Sequence, residues 1–242
     1  MLDFACMPKA YSLSVFLPAF NEEKDIERTV LQVRDTLLKI ADEWELTVVN
    51  DGSKDKTKKI VEDLVNRDPR IKIINHEFNR GYGASLRSGF YSAKYPWIAF
   101  MDSDGQFDFT EIMTFIEKQK ETGADIVAGY YKKRKVSYLK IITSRIWELF
   151  VFTLFGLKTR DIDCGFKMVS KKVIEKIPKL ESERGAFISS EFLIKAKKAG
   201  FKIVEIPVTH FPAGRVGTGR KLNVIIQSFV DLIKLWKNLK IG

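Results

Sequence analysis

Apolar and polar residues follow one another along this chain in two rhythms. Short runs rich in β-branched and aromatic residues, at 13–17, 46–49, 71–74 and 97–101, are separated by longer stretches at 22–40, 55–66 and 84–94. The runs have the character of buried strands. The longer stretches, where apolar residues return every three to four positions, have that of helices lying on a sheet. The clearest stripe is Ile26, Val30, Val33 and Leu37, with Asn21 placed to cap the helix that carries it. A helix at 110–122 and a strand at 125–128 extend the series. Such succession predicts an α/β fold with a central, mostly parallel sheet flanked by crossover helices.

Beyond residue 130 the alternation breaks. A basic loop is followed by a long apolar helix at about 138–155, a short segment at 165–169, helices at 171–177 and 189–199, and a strand at 202–208. A glycine-containing loop at 212–219 then leads to a last helix at about 222–239. No repeat or linker interrupts the chain, so it reads as one domain, with a half at about 10–129 and a second at about 130–242. The last helix is amphipathic: Leu222, Ile225, Ile226, Phe229, Leu232, Ile233 and Trp236 share a face, with Lys234, Lys237 and Lys240 elsewhere. Ile141, Ile142, Ile146, Leu149, Phe150 and Phe155 form a second apolar stripe. Both stripes suit contact with lipid and equally suit packing on a core.

Composition narrows the setting. With 242 residues and 45% hydrophobic content the chain can bury a full core. A net charge of +10 points to an anionic partner, for which nucleic acid, anionic lipid and phosphorylated metabolites all qualify. Two cysteines, Cys6 and Cys164, make a disulfide framework unexpected and favour a reducing compartment. The N-terminus lacks the basic start and apolar core of a signal peptide, and the longest apolar stretch, 146–157, carries Glu148 and is too short to span a bilayer. The expectation is a cytoplasmic protein.

The chemistry gathers in the loops that follow the strands. Asp102-Ser103-Asp104-Gly105-Gln106 sets two carboxylates beside a turn-forming glycine, a donor set suited to a divalent cation on a diphosphate and equally to a capped turn. Pro18-Ala19-Phe20-Asn21-Glu22 follows the first strand and Asn50-Asp51-Gly52-Ser53 the second. In an open α/β sheet ligands bind beyond the carboxyl ends of the strands, where all three loops lie. Glu22 and Asp51 suit hydrogen bonds from a base or ribose. Arg80-Gly81-Tyr82-Gly83-Ala84-Ser85, with Arg87, opens a helix in a manner suited to phosphate. Neither the dinucleotide fingerprint nor a Walker lysine is present, which argues against hydride transfer and P-loop hydrolysis.

Taken in order, Leu17-Pro18-Ala19-Phe20-Asn21-Glu22, Val49-Asn50-Asp51-Gly52-Ser53, Asn79-Arg80-Gly81-Tyr82-Gly83, Asp102-Ser103-Asp104-Gly105-Gln106, Asp161-Ile162-Asp163-Cys164-Gly165-Phe166-Lys167 and Ser190-Glu191-Phe192 resemble glycosyltransferase family 2 over nearly the whole chain. The likeness is to enzymes of the dolichyl-phosphate mannose synthase or polyprenyl-phosphate glucosyltransferase kind, with a GT-A fold. The resemblance implies a nucleotide-sugar site drawn from Pro18, Phe20, Asn21, Glu22, Asp51, Gly81, Asp102, Ser103, Asp104 and Gln106. Within it, Asp102, Asp104 and Gln106 would hold Mg²⁺ or Mn²⁺. Asn50 stands where many relatives have Asp, and Tyr131 where they often carry Arg, a role that Arg134 is placed to take over.

The expected reaction is inverting transfer of a hexose from GDP-mannose or UDP-glucose to dolichyl or undecaprenyl phosphate at the cytoplasmic face of a membrane. Asp104, Asp163 and Glu191 are its candidate catalytic carboxylates, and Arg134, Arg215 and Lys221 the candidate cations for the acceptor phosphate. His210 is expected to pack rather than to catalyse. Contact with the membrane is expected to be peripheral, and a membrane-anchoring subunit is a further conceivable partner. The main rival is transfer to a sugar hydroxyl. A nucleic-acid-binding module, suggested by charge with Tyr130, Tyr131 and Tyr138, is a remote second, and no nucleic-acid partner is expected.

Overall fold

The computed structural model describes residues 11–132, 138–183, 185, 187–211 and 222–241. In chain order the first half runs β1 (Tyr11–Ala19), α1 (Ile26–Ile40), β2 (Ala41–Asn50), α2 (Thr57–Arg67), β3 (Ile71–Asn75), α3 (Tyr82–Ser92) and β4 (Trp97–Met101). A 3₁₀ turn at Phe109–Glu111 leads into α4 (Ile112–Thr122) and β5 (Ile126–Tyr131). Then follow α5 (Tyr138–Phe155), β6 (Phe166–Ser170), α6 (Lys171–Lys176), α7 (Phe187–Lys198), β7 (Ile203–Val208) and α8 (Leu222–Ile241).

Among the described residues, seven strands form one sheet in the order β3-β2-β1-β4-β6-β5-β7. β1 pairs in parallel with β2 on one side and β4 on the other, so strand order reverses between β1 and β4 and a crevice opens beyond their carboxyl ends. The segment expected at 165–169 is β6, and it runs antiparallel between β4 and β5. The fifth strand therefore does not continue the parallel series beside β4; it pairs in parallel with β7 instead.

Alternate residues of β1 face opposite sides. Leu13, Val15 and Leu17 pack with the α1 stripe of Ile26, Val30, Val33 and Leu37, all fully buried. Phe16 turns the other way, stacked on Phe100 with centroids 5.2 Å apart and met edge-on by Phe90 at 5.1 Å. α1 begins four residues later than the pattern suggested, at Ile26, because Glu22 O accepts the N–H groups of Asp25 and Ile26 in a preceding turn. Asn21 is therefore not its cap, and Asp25 caps it without a side-chain hydrogen bond. A missing cap costs about 1 kcal/mol. That is small beside roughly 1.5–3 kcal/mol for each of the four buried stripe residues.

The second half builds a helical layer on the Phe16 face. Trp147 of α5 donates Nε1–H to Ser190 Oγ of α7 (3.0 Å) and meets Phe229 of α8 edge-on at 5.1 Å. The α5 stripe divides: Val151 and Phe155 are buried, whereas Ile142, Ile146, Leu149, Phe150 and Phe152 are exposed, Leu149 by 62%. On α8, Leu232 and Leu235 are buried and Val230 and Ile233 exposed. Among the described residues, no helix is long and apolar enough to cross a membrane.

Candidate active site

A crevice of about 360 Å³ occupies the switch point. Its walls are Pro18, Phe20 and Glu22 after β1, Asp51 after β2, Gly81, Tyr82 and Ser85 at the start of α3, and Asp102, Ser103 and Asp104 after β4. Ser103 donates its hydroxyl to Pro18 O at 2.7 Å, clamping the β4 loop to the end of β1. Asn21 takes up a left-handed conformation with φ 58°, donates its N–H to Ser53 Oγ (3.0 Å) and accepts Lys54 N–H on Oδ1 (2.8 Å). It is thus a joint between the β1 and β2 loops and forms no part of the crevice wall. Asn50, buried at the end of β2, donates to Asn75 Oδ1 (2.8 Å) and accepts Ser53 N–H (3.2 Å), bracing the same loop.

Asp51 lines the crevice with both oxygens engaged. Oδ1 lies 2.7 Å from His76 Nδ1 and accepts Arg80 N–H (2.9 Å). Oδ2 accepts Asn79 Nδ2–H (2.9 Å) and Gly81 N–H (2.8 Å). Four donors on one carboxylate match its hydrogen-bonding capacity. Asp51 thus lines the crevice where the sequence pattern expects it, and its carboxylate also organises residues 79–81 and shapes the wall. Gly81, at φ 105°, holds a backbone conformation that suits glycine.

Asp102 sits where three elements meet. Its N–H donates to Gly165 O (3.1 Å), and Oδ1 accepts the phenol of Tyr82 (2.9 Å). Gly165, just before β6, lies so close to this carboxylate that a Cβ there would overlap it. Burial and the neighbouring Asp104 push the Asp102 carboxyl up to about 7, against the lowering influence of the Tyr82 hydrogen bond and the Lys167 charge. Burial also raises Asp104, whose Oδ1 accepts Gln106 N–H (3.1 Å). Lys167 is fully buried, donating Nζ–H to Ile162 O (3.2 Å) and to Cys164 O, and so fixes the turn that presents Gly165.

Two crowded carboxylates whose ionisation is opposed by burial and by each other form a hard oxygen donor set that a divalent cation would satisfy. The residues present therefore fit Mg²⁺ or Mn²⁺, with Asp104 and Asp102 to hold it. Gln106 lies outside the crevice wall: its Nε2 donates to Phe211 O (3.1 Å) and its own carbonyl accepts Phe211 N–H (2.8 Å).

The remaining sequence-expected residues are placed differently. Asp163 lies half-buried in the turn before β6, close enough for its charge to raise the Tyr131 phenol, though burial is the larger cause. It does not line the crevice. Glu191, expected near the reacting centre, is buried within α7, paired with Lys195 at 2.6 Å and accepting the N–H groups of Glu181 (2.8 Å) and Ser182 (2.9 Å). Its carboxylate holds a strap at 181–183, whose Ser182 and Glu183 carbonyls back Gly83 of α3. Arg134, Arg215 and Lys221 lie outside the described residues. The His210 ring lies 4.4 Å from Tyr131 and 5.4 Å from Phe107, close enough to Asp104 for their charges to interact.

In the sequence Tyr82 and Ser85 belong only to a helix start suited to phosphate, and neither His76 nor Gly165 has a role of its own. Tyr82 stands between two glycines at a helix start, which marks a close approach, and Gly165 precedes a strand. Nothing in the sequence singles out His76.

Three comparisons with known proteins bear on this arrangement. Residues 14–178 match the model of glycosyl transferase family 2. A dolichyl-phosphate beta-glucosyltransferase of Trichomonas vaginalis is 30% identical, over 94% of this chain and 74% of its own length. A dodecaprenyl-phosphate galacturonate synthase of Rhizobium johnstonii is 28% identical, over 90% and 65%. The chain thus spans about three quarters of the first relative and just under two thirds of the second. An uncharacterized protein of Methanocaldococcus jannaschii is 30% identical over 90% of this chain and 98% of its own. Among solved structures, glucosyl-3-phosphoglycerate synthase of Mycobacterium tuberculosis, in complex with Mn²⁺, UDP and phosphoglyceric acid, superposes with a TM-score of 0.70 at 17% identity, covering 93% of this chain and 78% of that one. The shared architecture is the GT-A fold.

Proposed function

Because the chain belongs to glycosyl transferase family 2, we propose that it transfers a hexose from UDP-glucose or GDP-mannose to a polyprenyl phosphate, with inversion at the anomeric carbon. The observation that carries the reading is the Asp102–Asp104 pair lining a crevice of about 360 Å³, a volume that suits a small-molecule ligand. The names of the Trichomonas and Rhizobium relatives, both acting on polyprenyl phosphates, support the acceptor class.

In this reading Pro18 and the exposed ring of Phe20 receive the base, Glu22 meets the ribose, and Gly81 and Ser103 complete the wall. Asp102 and Asp104 hold the cation, with Gln106 beside them. When bound, the cation neutralises charge that develops on the departing diphosphate. A phosphate acceptor is anionic near neutral pH, so its oxygen attacks without a strong general base. Asp163 is then an electrostatic neighbour, and Glu191 holds the strap behind α3 rather than acting as base. Arg134, Arg215 and Lys221 are proposed to meet the acceptor phosphate.

The acceptor lies in a membrane, and the exposed apolar residues of α5 and α8 support a peripheral contact there. Phe229 joins the two helices through Trp147 and Phe150, at 5.1 and 5.3 Å, and the exposed Lys234 and Lys237 on α8 suit anionic headgroups. An anchoring subunit covering the same face is the alternative partner.

Incubation with labelled UDP-glucose or GDP-mannose, Mn²⁺ and dolichyl or undecaprenyl phosphate is expected to move label into the organic phase. Label recovered only in water-soluble glycan would replace this reading with transfer to a sugar hydroxyl.

A further inference from the structure

We propose that His76 is a positioning residue for the donor crevice: it fixes Asp51 and, through Asp51, the first turn of α3. The inference rests on the donor-site reading above. His76 directly follows β3 and is buried, and its backbone N–H donates to Asn50 O (2.9 Å), so the ring stands at the end of the sheet between the β2 loop and α3. Nδ1 lies 2.7 Å from Asp51 Oδ1 and Nε2 2.9 Å from Ser88 Oγ. A carboxylate oxygen accepts, which places a proton on Nδ1, while Nε2 is left to the Ser88 hydroxyl.

Ser88 belongs to α3, and the two residues that lead into that helix, Arg80 and Gly81, meet Asp51 through their N–H groups. α3 is therefore gripped twice from one acid. At its entry, Arg80 and Gly81 N–H donate to Asp51. Further along, Ser88 is held through His76. The same helix and its cap deliver Tyr82, Ser85 and Gly81 to the crevice, and its Tyr82 phenol holds Asp102. Loss of the His76 donor leaves Oδ1 with one partner instead of two, and a carboxylate that has lost a fixed partner turns toward water or toward the ligand. The wall then loosens while the sheet and its loops stay folded.

Two substitutions separate the ring nitrogens. In His76→Asn the amide keeps a donor near the position of Nδ1 and gives up Ser88. In His76→Gln the longer amide reaches toward the position of Nε2 and gives up Asp51. Wild type and both variants are titrated calorimetrically with UDP and with GDP in Mn²⁺, and melted. His76→Gln is expected to bind the nucleotide that wild type prefers about tenfold more weakly. His76→Asn is expected to bind close to wild type, and the two variants to melt within a few degrees of each other. In steady state the loss appears in the donor KM rather than in kcat. Ser88→Ala, which leaves the ring in place, is expected to change affinity less and in the same direction. Asp51→Asn and Asp51→Asn/His76→Gln are expected to bind alike, because the two residues act in one chain. Equal affinity of His76→Gln and wild type, or equal weakening in both His76 variants, overturns the inference. Folded wild type that binds neither UDP nor GDP sinks the donor-site reading, and this inference with it.

Discussion

The phenol of Tyr82 donates a 2.9 Å hydrogen bond to Oδ1 of Asp102, joining the first turn of α3 to the acidic motif after β4. The bond favours the ionised carboxylate, and burial together with the Asp102 charge raises the phenol well above its usual range, so Tyr82 stays protonated as the donor. Tyr82→Phe keeps the ring and removes only the donor. A hydrogen bond to a charged group contributes roughly 1.5–3 kcal/mol. Activity at pH 7 is expected to fall by tenfold or more and to recover in part at higher pH, as Asp102 ionises without help; a pH–rate profile shifted to higher pH is the measurement. A uniform loss across pH would remove the link.

Asp102 also makes stability depend on pH in a direction opposite to that of most carboxylates. Its folded value is raised to about 7, above the ordinary value near 3.8. Between those two values the folded state keeps a proton that the unfolded state has lost, so this group's contribution to stability falls as pH rises from about 4 to about 7 and is flat beyond. Melting in a chelator from pH 5 to 8 is expected to show this loss, and Asp102→Asn to remove it. Mn²⁺ with UDP or GDP is expected to restore stability most at pH 8, where the carboxylate is free to bind.

Gly165→Ala places a methyl where the Asp102 carboxylate lies. Overpacking of this kind costs roughly 1–3 kcal/mol. The melting temperature is expected to drop, with the Mn²⁺-dependent stabilisation by nucleotide disproportionately lost. A variant that melts earlier but responds to Mn²⁺ and nucleotide as wild type does would show that Gly165 serves the fold alone.

Glu191 and Lys195 form a buried pair at 2.6 Å. Burial raises the Glu191 carboxyl, but hydrogen bonds from Lys195, Ser182 and Glu181 outweigh it and hold the group below the usual range. Its contribution to stability is thus present above the unfolded value near 4.3 and lost as pH falls through the lower folded value. Removing one partner alone costs roughly 3–5 kcal/mol; replacing both by apolar residues avoids an unpaired buried charge and costs mainly the strap's lost acceptor for the Glu181 and Ser182 N–H groups. Glu191→Met/Lys195→Met is therefore expected to fold and keep kcat within about tenfold of wild type. A loss of about 10²–10⁴ in a folded double variant would reinstate Glu191 as a general base.

Leu149 and Phe152 are among the most exposed apolar residues of α5. Leu149→Glu/Phe152→Glu is expected to abolish co-sedimentation with vesicles containing anionic lipid, leave the melting temperature near wild type, and spare activity on a short-chain, water-soluble prenyl phosphate. Loss of activity on both acceptors would argue that this face serves the acceptor site itself.

How much of this was legible varied with the range of the interaction. The stripe Ile26, Val30, Val33 and Leu37, the run Trp97–Met101 and the loops that follow the strands repeat on a local period, and the structure places them as the pattern implies. The start of α1 was misread because Asn21 looks like a cap, while its partners, Ser53 and Lys54, belong to the next loop. The same holds for Asp51: the sequence shows a carboxylate at the rim, but only the folded chain brings His76, Asn79, Arg80 and Gly81 onto its oxygens.

The sequence by itself determined the α/β alternation and the acidic loops after the strands, because these rest on side-chain type at short spacing, and its motifs in order carry the resemblance to the family. The tertiary structure alone decided that β6 enters antiparallel between β4 and β5, bringing Gly165 against Asp102. It also decided that Glu191 is spent on Lys195 and a strap, and that His76 joins Asp51 to α3. The physical reason is that a carboxylate's role depends on which donors fill its lone pairs, and those donors come from segments far apart in the chain.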